Sequence, residues 1–255
     1  MILFVFEGKR REPDIFRTLD YLYFPKGQTI VCSFGNNIYE LYRQLKELDE
    51  AGDIVSILRD KNRDNPDNPF KDYDKSSDFS EIFLFFDYDF QNKNLPLEQM
   101  NAQIVEMLNV FNDETENGKL YINYPMIEAI RYTKELPDEH FFEYIVSRTD
   151  CQNKGFKDMV QCFSAYGSLD YIVLDLRHEP EKNKVEKVKQ NWAWLEEQNV
   201  SKANYICNNE HAIPSDKDSI SQNRIFEAQL THYLPKEEVA ILSAFPLFNY
   251  EYFKR

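Results

Sequence analysis

Only seven glycines occur in 255 residues, which leaves no material for an extended glycine-rich phosphate loop. The four cysteines, Cys32, Cys151, Cys162 and Cys207, are far apart and form no CxxC pair. Neither a zinc knuckle nor a thioredoxin-type redox motif is therefore encoded, and inert packing is their expected role. No stretch reaches the length of a membrane-spanning helix, and the apolar start, Met1 to Phe6, is too short for a signal-peptide core and has no basic flank before it. A cytoplasmic location is expected. Basic residues are in deficit, 30 Lys and Arg against 44 Asp and Glu, for a net charge of −14. Indiscriminate binding to nucleic acid is disfavoured, because that affinity comes from Lys and Arg displacing counterions. A phosphate-handling site in such a chain needs positive charge supplied locally, by a bound cation or a partner.

Apolar residues make up 42% and aromatics 15% of the chain, with 20 Phe and 16 Tyr, the composition of an ordered globular protein. A chain of this size buries roughly 70 to 75% of its unfolded surface without disulfide or metal staples. The apolar run Ile2-Leu3-Phe4-Val5-Phe6 has no polar interruption, as suits a strand covered on both faces. Pro13 stands in a first helical turn, with Ile15, Phe16, Leu19, Leu22 and Tyr23 following at helical spacing. Residues 28 to 34 read as a second strand, and Ile38, Leu41, Leu45 and Leu48 as a helix stopped near Gly52. Residues 60 to 80 are rich in Asp, Asn, Ser and Pro and read as a long exposed loop. A third apolar run, 82 to 86, leads to Asp87, and Leu97, Met100, Ile104, Met107, Leu108 and Phe111 mark an amphipathic helix. Asn117-Gly118 turns the chain into a fourth strand, Lys119 to Tyr124.

This alternation predicts an α/β fold, a small mostly parallel sheet flanked by helices, over 1–125. Residues 126–255 read as a mainly helical appendage, possible as part of the same compact unit, with helices near 126–135, 138–148, 155–166, 181–198 and 218–243 and one possible strand at 171–174. Lys182, Lys184, Lys187 and Lys189 do not share a helical face, so a solvated helix is expected there, with Trp192 and Trp194 packing it down rather than stacking on bases. His140, His178, His211 and His232 have no metal-ligand spacing.

Carboxylates stand at the ends of two of the apolar runs, Glu7 after the first and Asp87 with Asp89 after the third. Ligands of open α/β sheets collect beyond the carboxyl ends of the strands. If the strand continues, Asp87 and Asp89 point to one side and Tyr88 to the other. Two acids sharing a small volume repel one another, and a divalent cation relieves the repulsion while keeping positions open for water and phosphate oxygens. Glu7, on a neighbouring strand end, would complete the metal sphere or act as a general base.

The string Phe6-Glu7-Gly8-Lys9-Arg10-Arg11-Glu12-Pro13, together with Phe86-Asp87-Tyr88-Asp89, resembles the Toprim domain, and its opening most resembles the EGxxxEP start of RloB-like and OLD-type Toprim nucleases of bacterial anti-phage systems. The resemblance covers residues 1 to about 130. It implies Glu7, Asp87 and Asp89 as catalytic metal ligands for Mg²⁺ or Mn²⁺, Glu12 as the second glutamate of the opening stretch and Glu128 as a late acidic ligand. Lys9, Arg10 and Arg11 would contact substrate phosphates. The implied function is phosphodiester hydrolysis of DNA or RNA in phage defence, for instance by abortive infection. Position 91 is Gln, where topoisomerase-like members carry a third acid, and no GxxxxGK[ST] loop is present, so an ATPase partner would be a separate chain. Homo-oligomers are also compatible with this reading.

Two other readings fit the same residues. An apolar strand ending in Asp-Tyr-Asp also resembles the haloacid-dehalogenase-type phosphatases, in which Asp87 would be the nucleophile and Asp89 the acid/base, leaving Glu7 without a purpose. A non-catalytic partner-binding module would leave these acids as surface groups. Glu12 can simply stabilise a helix N-terminus, and Glu128 can be a solvated helix residue.

Overall fold

The computed structural model describes residues 1–48, 53–66 and 68–253. It is a mixed α/β protein with a mostly parallel five-stranded sheet flanked by helices and a helical C-terminal region, as the sequence predicts. The chain divides into two compact units, residues 1–86 with 97–121 and residues 87–96 with 122–255. The chain passes between them three times; the last passage, after residue 121, lies near the expected boundary at 125, whereas the segment 87–96 groups with the C-terminal unit.

The first unit begins with strand β1 (Ile2–Phe6), buried at every position, and helix α1 (Arg11–Tyr23), which carries Pro13 in its first turn. Strand β2 (Thr29–Ser33) and helix α2 (Ile38–Glu47) follow. Gly52, expected to stop α2, lies outside the described residues. The sequence reading overlooked helix α3 (Ile54–Lys61), capped by the Asp53 side chain accepting from Val55 N at 2.6 Å. The exposed loop expected over 60–80 therefore begins only at 62. Buried Phe70 and Phe79 pin it, as does the Arg59–Asp74 ion pair; residue 67 within it lies outside the described residues.

Strand β3 (Glu81–Asp87), helix α4 (Leu97–Val110), the short strand β4 (Asn112–Asp113) and strand β5 (Gly118–Asn123) complete the sheet. Its order is β2-β1-β3-β5-β4, with β1 parallel to both β2 and β3 and β4 antiparallel to β5. The chain leaves β1 for β2 on one side and returns to β3 on the other, so the topological switch point falls between β1 and β3. Aromatic packing fixes this part of the sheet: the Phe4 ring lies 4.0 Å from that of Phe16 and 5.3 Å from that of Phe83. Each buried Phe contributes about 1.5–3 kcal/mol relative to exposure.

In the second unit the expected helix near 126–135 is a 3-10 turn, Ile127–Arg131. The helix expected near 138–148 is absent. The Asp138 carboxylate there accepts from Thr133 Oγ1, Lys134 N, Tyr144 Oη and His140 N, all at 2.9–3.0 Å, which fixes a turn instead. Strand β6 (Ile145–Ser147) follows, then helices α5 (Arg148–Lys154) and α6 (Phe156–Phe163). The possible strand at 171–174 is a turn in which Ile172 N and Val173 N both donate to Leu169 O. Helix α7 (Lys182–Asn208) runs ten residues beyond the expected end at 198, and Trp192 is buried in it with Nε1 donating to Ile172 O at 2.9 Å.

The region 218–243 contains only one short α-helix, α8 (Gln222–Ala228), before tighter and wider turns lead to strand β7 (Glu238–Ala240), which pairs antiparallel with β6. The buried Gln229 amide substitutes for a strand neighbour here, donating to Ala240 O at 2.8 Å and accepting from Ala240 N at 2.9 Å. Helix α9 (Ala244–Phe253), absent from the sequence reading, is buried from Ala244 to Tyr250 and packs on α7.

No helix among the described residues is long and apolar enough to cross a membrane.

Candidate functional site

Glu7 is the first residue beyond β1. Its N–H donates to Phe85 O at 3.0 Å and its carbonyl accepts from Gly35 N at 2.9 Å, so the backbone at this position is held by the strands on either side. Gly8 follows, and its N–H donates to Glu12 Oε1 at 3.0 Å. A Cβ at Gly8 would stand 2.6 Å from Glu12 Oε2, so the approach of the buried Glu12 carboxyl to the backbone requires glycine. Glu12 is thus an internal clamp of the turn into α1. Lys9 and Arg10 are exposed and Arg11 is half-buried.

Burial lifts the Glu12 carboxyl above its ordinary value, an effect only partly offset by backbone hydrogen bonds and the charge of Arg11. The folded state then holds this proton more tightly than the unfolded chain, so ionisation erodes stability as pH rises above the ordinary value of 4.5. Glu12→Gln keeps an acceptor for Gly8 N–H and removes the titration. Urea unfolding of both proteins between about pH 4 and pH 7 is expected to show the variant gaining relative stability as pH rises. A pH-independent difference would contradict the assignment.

Asp87 ends β3 and is 5% exposed. Its Oδ1 accepts from Asn123 Nδ2 at 3.0 Å. Asn123, 1% exposed at the end of β5, uses its own oxygen to accept from Ala244 N at 2.9 Å. Asn199 on α7 is likewise fully buried, accepting from Ser243 N at 2.9 Å and donating to Leu195 O at 2.9 Å. The two asparagines together satisfy backbone donors at the entrance to α9, groups that a helix leaves without partners of its own. The Asp87 carboxylate therefore sits at the end of a buried polar chain anchored in α7 and α9.

The alternation argument for Asp89 does not hold, because β3 ends at Asp87 and Asp89 adopts a left-handed conformation with φ 57°. Its N–H donates to Pro125 O at 3.1 Å and its Oδ1 accepts from Gln91 Nε2 at 2.8 Å. Between the two acids Tyr88 is fully buried, its ring 5.6 Å from that of Phe90 and 5.8 Å from that of Tyr124. The guanidinium of Arg148 fastens the following loop by donating to the carbonyls of Phe90, Asn92 and Leu95. A left-handed Asp held in this way is a positioned group rather than a mobile loop residue.

Glu128 is buried within the 3-10 turn Ile127–Arg131, not a solvated helix residue. Of the expected carboxylates, Glu7 and Glu12 belong to the first unit and Asp87, Asp89 and Glu128 to the second. No cluster of three or more His, Cys, Asp or Glu side chains is set to hold a metal ion among the described residues. Asn123 and Asn199 escaped the sequence reading. The only signal for Asn123 is a lone amide closing the apolar run Leu120-Tyr121-Ile122, and Asn199 has none within the polar text of α7.

No family model, curated protein or solved structure matches this chain.

Proposed function

We propose that the protein is a divalent-metal-dependent nuclease, hydrolysing phosphodiester bonds of DNA or RNA with Mg²⁺ or Mn²⁺ held by Asp87, Asp89 and Glu7. The observation that carries this reading is topological: Glu7 and Asp87 terminate or directly follow β1 and β3, the two parallel strands that flank the switch point of the sheet. The donors are carboxylate oxygens, the hard ligands that Mg²⁺ and Mn²⁺ prefer. Mg²⁺ usually binds through one or two carboxylates, completing its sphere with water and substrate phosphates, and so does not need a finished protein cage. The ion would supply a water of lowered pKa and neutralise charge on the phosphate. This chain's own contribution is to hold Asp87 through Asn123, to fix the Asp89 backbone against Pro125, and to keep Glu7 at the strand end as ligand or general base. Glu128 is a further acid of the same unit as Asp87, and Lys9, Arg10 and Arg11 follow Glu7 as candidate phosphate contacts.

A role as effector in anti-phage defence, with a separate ATPase chain, extends the same proposal. It rests on the resemblance of residues 6–13 and 86–89 to the Toprim domain, and of the opening stretch to the start of RloB-like and OLD-type nucleases.

Incubation of the full chain with plasmid DNA, single-stranded DNA and total tRNA, with Mg²⁺, Mn²⁺ or EDTA, tests the reading. Cleavage of at least one substrate in metal and not in EDTA, lost in Asp89→Ala, is the expected result. Phosphate release from small phosphomonoesters with every nucleic acid left intact would replace it with the phosphatase reading.

A further inference from the structure

A second feature of the first unit is independent of the acids. A cavity of about 530 Å³ opens at the carboxyl end of β2, lined by Ser33, Phe34 and Gly35 and by the basic residues Lys9, Arg17 and Lys61. The volume lies in the range of small-molecule sites. Among the described residues that line it, three are basic and none is acidic, in a chain whose net charge is −14.

The three cations come from three different elements: Lys9 from the turn after β1, Arg17 from α1 and Lys61 from the last turn of α3. Lys61 Nζ lies over the Phe34 ring, 3.5 Å from its centroid. Lys9 and Lys61 make no ion pair among the described residues. Burial, with Lys9 nearby, lowers the Lys61 pKa against the pull of Glu40, while Glu40 is itself bound by Arg43 at 2.6 Å. Arg17 pairs with Asp14 at 2.6 Å, but both side chains are more than half exposed, so this pair holds the guanidinium only weakly. Gly35 has a φ of +75°, a conformation that favours glycine, and the Lys9 stem passes close by, with Cε 3.0 Å from where a Cβ would stand. Like charges gathered around one cavity repel each other, and an anion placed among them relieves the repulsion.

We propose that this cavity binds the phosphate group of a nucleotide-sized ligand through Lys61, Arg17 and Lys9. That phosphate chemistry has two sources, a free mononucleotide or the 5′-phosphate of a nucleic-acid strand. The site needs no metal, which separates it experimentally from the nuclease reading.

The test is calorimetric titration of the full chain in EDTA at low salt with inorganic phosphate, AMP, adenosine, and a short thymidine oligomer with either a 5′-phosphate or a 5′-hydroxyl. AMP is expected to bind and adenosine not. The double variant Lys61→Gln with Arg17→Gln should weaken AMP about tenfold or more while melting like the parent, since hydrogen bonds to charged groups are among the stronger ones. If the variant is poorly folded, Lys9→Gln at an exposed position provides the second perturbation and should also weaken AMP. Binding of AMP together with the 5′-phosphorylated oligomer, but not its 5′-hydroxyl form, assigns the site to strand ends, and binding of AMP alone assigns it to a free nucleotide. Failure of every phosphate-bearing probe to bind, or AMP affinity unchanged in a folded variant, would overturn the proposal whatever the outcome of the cleavage assay.

Discussion

Replacing Asp87 with Asn is expected to reduce metal-dependent cleavage about a hundredfold or more while leaving the protein folded. The substitution preserves shape and leaves an oxygen able to accept from Asn123 Nδ2, so the buried chain through Asn123 to α9 stays satisfied. The negative charge that would hold the cation is lost. Charge neutralisation by a bound metal is worth several kcal/mol in a phosphoryl transition state, and each 1.36 kcal/mol is about a factor of ten in rate. A second readout needs no substrate. A ligand present at about 100 times its Kd stabilises the native state by about 2.7 kcal/mol, so Mn²⁺ should raise the melting temperature of the parent and not of Asp87→Asn. Equal melting shifts and equal cleavage in the two proteins would remove Asp87 from the site.

Truncating Asn123 to Ala should be among the most destabilising single changes in the second unit, by about 2–5 kcal/mol, since buried groups left without partners cost about 1–3 kcal/mol each and charged ones more. The Ala244 N–H loses its acceptor, and the buried Asp87 carboxylate loses one of its hydrogen bonds. Urea unfolding measures it directly. In protein that remains folded at low temperature, Mn²⁺ affinity should also fall by about 10- to 100-fold, the usual effect of removing a group that orients a metal ligand. A loss of stability with unchanged Mn²⁺ affinity would leave Asn123 a purely structural residue. The control is Asn199→Ala, which strips the Ser243 N–H of its partner without touching Asp87. It should lower stability and spare Mn²⁺ binding.

The strands that carry the acids were readable because their burial is written in uninterrupted apolar text: 2–6 and 82–86 need no knowledge of partners to be recognised as covered on both faces. The conformation of Asp89 was not readable. The period-2 rule assumes that the strand continues, and what ends it is the pairing of Asp89 N–H with Pro125 O, a contact across 36 positions of sequence. Helix α3 was lost because its apolar text spans only a turn or two and sits beside a long polar stretch, although the capping residue Asp53 marks its start. Strands β6 and β7 are three residues each, too short for any period to register. The polar support of Asp87 left almost no trace, since an asparagine that caps a distant helix looks in sequence like one that faces water. The same holds for Lys61, which the sequence places in an exposed loop, and for Arg17 in the first helix, which only the folded chain brings to one cavity with Lys9.

The claim on which the proposed activity depends is that Asp87, Asp89 and Glu7 serve one ion at the switch point of the sheet. Anomalous diffraction from crystals soaked in Mn²⁺ tests it without reference to any substrate. The expected result is a manganese peak about 2.0–2.3 Å from an Asp87 carboxylate oxygen, with Asp89 and Glu7 in its sphere directly or through water. Saturating Mn²⁺ that leaves Asp87 without a peak, or that collects on acids remote from β1 and β3, would contradict it.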